Sequence, residues 1–236
     1  MHLILLCVCI EGLLIFFIGT ACTLNAAGFA LCYNVGYGLL ASVLLPLAIA
    51  RRDNAPLSAF GMKPLHARQI TVLSAFVLFS VGGQLIPLMA AGAMPRFDRL
   101  PISVVPLIMT TFFEEFLFRG FMQTRLEKRF NWPVAALLAG LFFSLYHIRY
   151  PGFRSVEDLL LLFAVGLGFS IAYKLSGNNL WVAYFVNLPN AMVTYILKTE
   201  QFPTFTWASS VYGAVTIVAV ALLLIAYKRF PYRRHR

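Results

Sequence analysis

Runs of about twenty consecutive apolar residues recur along this chain, and their length limits what it can fold into. An α-helix needs roughly 20 residues to cross about 30 Å of hydrocarbon. Eight such runs are read, at about 3–23, 27–50, 70–93, 101–123, 132–148, 158–175, 179–197 and 207–227. Of the 236 residues 60% are hydrophobic and 12% charged, whereas soluble domains carry roughly a quarter charged residues. The ten-residue alternation of a membrane β-barrel is missing. The expected fold is an all-α membrane protein, a polytopic bundle of about eight transmembrane helices. Short connections make it one domain over 1–236, with no internal repeat. The first run lacks a basic leader and a clear cleavage site, so it reads as a retained span.

Charge placement predicts the orientation. Arg51, Arg52, Lys63, Arg68, Arg125, Lys128, Arg129, Lys174, Lys228, Arg229, Arg233, Arg234 and Arg236 fall at one end of the spans. Arg96, Arg99, Arg149, Arg154 and Lys198 fall at the other. The richer side is cytoplasmic by the positive-inside rule, so both termini are expected there. The net charge of +10 is then mostly topology, and its spread over loops and tail argues against nucleic acid as a partner. Membrane lipid is the expected surroundings, with the basic tail near anionic headgroups. Cys7, Cys9, Cys22 and Cys32 have no zinc-ligand spacing and read as small packing residues. The abundant Phe and Tyr read as lipid-facing and interfacial packing.

Within the spans the ionisable groups are few: Glu11, Glu114, Glu115, Arg119 and His147, joined by the amides Gln84, Asn187 and Asn190. Charges at such depth cost several kcal/mol and mark functional sites by default. In "TFFEEFLFRG" (111–120), Glu115 and Arg119 are i, i+4 and can form an ion pair. Glu114 lies about 100° around the helix, with Leu117 and Phe118 where a partner would be. It needs water or a group from another helix, and a carboxylate so placed suits general-base chemistry. Phe143 and His147 share a face in "FFSLYHI", and His147 with Glu114 makes a plausible acid/base pair. Asn187 and Asn190 flank Pro189, whose missing N–H loosens the helix. Their amides can stabilise an oxyanion or cross-link helices. Glu11 reads as a structural acid or a partner for a neighbouring helix, and Gln84 as helix–helix glue.

Glu-Glu-x-x-x-Arg at 114–119 followed by Phe-x-x-x-His at 143–147 resembles the first two motifs of the CAAX prenyl protease and bacteriocin-processing (CPBP, Abi-domain) family of intramembrane proteases. The resemblance covers a core at about 100–195, leaving 1–93 and 207–227 as accessory helices. "SAFGMKPL" at 58–65 is similar to the segment preceding that core in bacterial members. The resemblance implies that Glu114 and His147 activate water, with Glu115, Arg119 and Phe143 in support. It also implies an oxyanion histidine followed four residues later by an asparagine. Counted from Trp181, those positions hold Asn187 and Ala191, with Asn190 one residue early. Asn187 and Asn190 are therefore the expected oxyanion donors, in a site either rebuilt or catalytically weakened. The family has been described both as zinc-dependent and as glutamate-type. Catalytic zinc takes three protein ligands, and Glu115 is engaged by Arg119, so no metal and no cofactor is expected.

The expected function is an intramembrane endopeptidase acting on a membrane-embedded or membrane-adjacent peptide or protein. Prenylated CAAX-type C-termini, bacteriocin-like leaders and C-terminal sorting helices are the candidate substrates, the first ranked last. The compact chain resembles bacterial or archaeal members, which puts it in a prokaryotic inner (plasma) membrane. The alternative is a non-catalytic immunity or peptide-binding protein using the same cavity. A transporter is disfavoured by the missing internal repeat.

Overall fold

The computed structural model describes residues 2–98, 100–150, 155–197 and 207–229. Eight long helices make up these residues: α1 (His2–Ala21), α2 (Ala27–Arg52), α3 (Ala67–Ala90), α4 (Leu100–Glu127), α5 (Trp132–Arg149), α6 (Val156–Leu175), α7 (Leu180–Leu197) and α8 (Trp207–Arg229). No strand occurs among the described residues. All but α7 are long and apolar enough to cross a membrane. The eighth, α7, carries two asparagines and a proline, and it packs against α3, α4 and α6. The protein is an integral membrane protein, an all-α bundle. Its outer surface is apolar, with Leu78 74% and Phe79 80% exposed on α3, as expected where lipid replaces water.

Helix α4 is the hub, touching α2, α5, α6, α7 and α8. Two helices depart from the α geometry that the sequence spacing implied. Residues Cys32–Leu44 of α2 and Phe116–Gln123 of α4 form π-helix, a wider winding found often at functional sites. In each segment a hydroxyl five residues on caps a carbonyl: Ser42 donates to the Tyr37 carbonyl at 2.8 Å and Thr124 to that of Arg119 at 3.2 Å. Helix α5 also changes winding, tightening to 3₁₀ over Tyr146–Arg149. Glycine lets α2 press on α4, since a Cβ at Gly38 would sit 2.1 Å from the Phe113 ring.

The loop between α2 and α3 is pinned to the start of α7. Gly61 adopts φ 78°, its carbonyl accepts from the Leu180 N–H at 2.8 Å, and Asn179 donates to the Pro64 carbonyl at 3.0 Å. A Cβ at Gly61 would meet the Asn178 carbonyl oxygen at 2.7 Å. Gly61→Ala therefore faces both left-handed strain and overpacking, and should cost about 2–4 kcal/mol. Gly92→Ala shares the positive φ but meets nothing within 4 Å, so its loss should be smaller. Thermal unfolding of both variants in detergent checks this; equal midpoints would mean that the close approach at Gly61 carries no weight.

Candidate active site

The two glutamates at the middle of α4 go to different neighbours. Glu115 is fully buried and faces Arg119 at 3.3 Å. The Arg119 guanidinium, also fully buried, donates through Nη2 to the Gly166 carbonyl of α6 at 2.7 Å. It lies over the rings of Phe143 and Phe169, 4.6 and 5.3 Å from their centroids. Aromatic faces are among the few apolar surfaces that attract a cation, so α5 and α6 complete the enclosure of a charge supplied by α4.

Glu114 receives its partners from other helices, as its position on α4 requires. The Tyr146 hydroxyl of α5 donates to Glu114 Oε1. Asn187 of α7 donates through Nδ2 to Glu114 Oε2 at 2.9 Å and to Glu115 Oε1 at 2.8 Å. An amide nitrogen carries two hydrogens, and here both are directed at carboxylates. Asn187, expected as an oxyanion donor, bridges the two acids in this conformation.

Glu114, Phe143, His147, Asn187 and Asn190 line one cavity of about 90 Å³. At roughly 10–15 Å³ each, several waters fit. His147 Nδ1 lies 2.8 Å from the Phe143 carbonyl. A carbonyl only accepts, so Nδ1 donates and Nε2 is the basic nitrogen in neutral imidazole. Asn190 accepts at Oδ1 from Gln84 of α3 at 2.8 Å, and Gln84 in turn accepts from the Thr194 hydroxyl at 2.9 Å. Gln84 is thus the helix–helix link expected of it, and it leaves Asn190 with its Nδ2 hydrogens as donors beside the cavity. Arg119 and Glu115 are not in the lining; they sit behind it.

Four tyrosines depart from the lipid-facing and interfacial packing expected of Phe and Tyr in general. Tyr33, Tyr37, Tyr146 and Tyr150 are at most 7% exposed. The Tyr33 hydroxyl lies 2.9 Å from that of Tyr150 and 3.3 Å from that of Thr110, and all three residues line the cavity. The available signal was position: Tyr33 and Tyr37 are i, i+4 deep in a span, and Tyr146 adjoins His147. Glu11 is 5% exposed, and neither of its carboxyl oxygens has a hydrogen-bond partner among the described residues. Of its two readings, the one as partner to a polar group of a neighbouring helix finds no such group among the described residues. Among the described cysteines all four are free thiols.

Residues 96–192 match the family model described as type II CAAX prenyl endopeptidase Rce1-like. That segment is similar to the family, over less than half of the chain. It contains every candidate residue named from the two motifs and from α7, while Tyr33 and Gln84 come from outside it. No curated protein matches the chain. The donor set of the Rce1-like segment does not suit a catalytic zinc. No group of three metal-ligating side chains converges among the described residues, and Glu115 is held by Arg119 and Asn187.

The pairing makes a stability prediction. Arg119→Met leaves Glu115 buried without its cation and should destabilise by about 3–5 kcal/mol. Adding Glu115→Gln removes the orphaned charge and should restore part of that loss in thermal unfolding. A double variant no more stable than the single would show that the two charges do not compensate each other.

Proposed function

We propose that this protein is an intramembrane endopeptidase that hydrolyses a peptide bond at the Glu114–His147 cavity. The observation that carries the reading is the convergence of a carboxylate and an imidazole on one water-sized cavity deep in the bundle. The Rce1-like match supports a protease at the level of the family.

In this mechanism Glu114 takes a proton from a cavity water as the oxygen adds to the scissile carbonyl carbon. Tyr146 and Asn187 fix the orientation of the carboxylate during that transfer. The carbonyl oxygen becomes an oxyanion, stabilised by the Asn190 amide and by the hydroxyl pair Tyr33 and Tyr150. Stabilisation of this kind is usually worth a hundredfold or more per donor. His147, held by the Phe143 carbonyl, orients the water through Nε2, and the proton that Glu114 took from the water passes to the leaving amine as the C–N bond breaks. Arg119 and Glu115 act by positioning, since they lie behind the lining.

The match to a type II CAAX prenyl endopeptidase model brings a prenylated CAAX-type C-terminus to the head of the substrate candidates, ahead of leader peptides and sorting helices. Both termini on the cytoplasmic side of a prokaryotic inner membrane would give such a terminus access from the cytoplasm.

The test is cleavage of a farnesylated C-terminal peptide, a leader peptide and a sorting helix by the protein reconstituted in vesicles. Glu114→Gln should lower turnover by about 10²–10⁴-fold with substrate binding retained. Tyr146→Phe should lower it roughly ten- to hundredfold by releasing Oε1. A chelator should change nothing. Binding equal in wild type and Glu114→Gln, without cleavage of any substrate by either, would favour the alternative of a peptide-binding or immunity protein.

A further inference from the structure

A second, larger cavity lies at the end of the bundle where α2 and α8 finish. Its volume is about 660 Å³, and its walls come from the end of α2, the α2–α3 loop, Trp181 at the start of α7, and the end of α8. Three cations line it, Arg51, Lys63 and Lys228, and no carboxylate does. The carboxylate nearest in sequence, Asp53, is engaged by Arg125 at 2.7 Å. Trp181 and Tyr227 supply aromatic walls, and Leu57 and Met62 an apolar side.

The walls are fixed rather than loose. Tyr227 donates to the Ala55 carbonyl at 2.6 Å, tying α8 to the loop, and Lys63 Nζ donates to the Gly177 carbonyl at 3.1 Å. The Leu180 N–H bond to Gly61 fastens the same loop to α7 from the other side. Lys and Arg at the ends of spans lie at headgroup depth, and Trp and Tyr concentrate there as well. A cavity of one sign at that depth, with an aromatic and apolar flank, matches a ligand with an anionic head and an apolar body.

We propose that this cavity is a binding site for the phosphate headgroup of an anionic membrane lipid. Arg51, Lys63 and Lys228 surround the phosphate, Trp181 and Tyr227 pack on the glycerol region, and Leu57 and Met62 meet the start of the acyl chains. The apolar flank and the interfacial aromatics favour a lipid over free phosphate. The site is separate from the proposed catalytic cavity, with no lining residue in common, and does not rest on catalysis.

The experiment measures retention of phosphatidylglycerol by the detergent-purified protein in native mass spectrometry, with phosphatidylcholine and inorganic phosphate as parallel probes. Wild type should retain phosphatidylglycerol over phosphatidylcholine and be unaffected by inorganic phosphate. Lys63→Gln/Lys228→Gln should weaken retention about twentyfold, since each such cation is worth about fivefold near a membrane surface. Arg51→Gln alone should weaken it about fivefold, which keeps the test open if the double variant fails to fold. Arg129→Gln, an exposed cation outside the cavity, should leave it unchanged. Equal losses in Arg129→Gln would overturn the site in favour of diffuse attraction. Displacement by inorganic phosphate would overturn the lipid assignment, and unchanged retention in both cavity variants would overturn the proposal outright.

Discussion

A guanidinium with no exposure to its surroundings is the constraint from which the middle of this bundle follows. Removing such a charge from water costs far more than any single contact returns. Arg119 is therefore met from four directions: by Glu115 along its own helix, by a carbonyl of α6, and by two aromatic faces. The last three of those contacts fix the spacing of α5 and α6 against α4. Gly166 illustrates the tightness, because a Cβ there would lie 2.7 Å from the Phe143 ring. The cavity lined by Glu114 and His147 lies on the other side of this cluster, which holds α4 where Glu114 stands.

Much of this was legible in the sequence, for a physical reason. Span lengths are set by bilayer thickness, so the positions of eight helices could be read from hydropathy alone. The Glu115–Arg119 pair could be read from helical periodicity, and the absence of an in-helix partner for Glu114 pointed to groups on other helices. The identity of those partners could not be read. Tyr146 and Asn187 lie 32 and 73 residues from Glu114 in the chain, and no local rule connects them. Tyrosine was the residue most misjudged, because its apolar ring makes it ordinary in a membrane segment while its hydroxyl matters only once a neighbour is known. The π segments were equally hidden, since hydropathy does not distinguish one helical winding from another.

Helices beyond the Rce1-like segment complete its site. Tyr33 of α2 enters the cavity wall, and Gln84 of α3 holds the amide of Asn190. The motifs of α4 and α5 thus supply the ionisable groups of the cavity, and the accessory helices shape their surroundings. Helix α3 does this with no fully buried residue of its own. Polar links at both its ends join it to the bundle: Gln69 donates to the Ser176 carbonyl and accepts from Asn179, and Gln84 meets Asn190 and Thr194.

The bridge from Asn187 to both glutamates has a consequence for biogenesis. Helices enter a membrane in the order in which they are synthesised, and α7 is the last but one. A nascent chain that has inserted α1 to α6 already holds Arg119 beside Glu115, yet Glu114 lacks the amide that aligns it and the cavity lacks a wall. The ion pair can form early and help the first helices assemble, while the reactive carboxylate is set only when nearly the whole chain has left the ribosome. Under the proposed reading, synthesis order would complete the cavity only once α7 is in place.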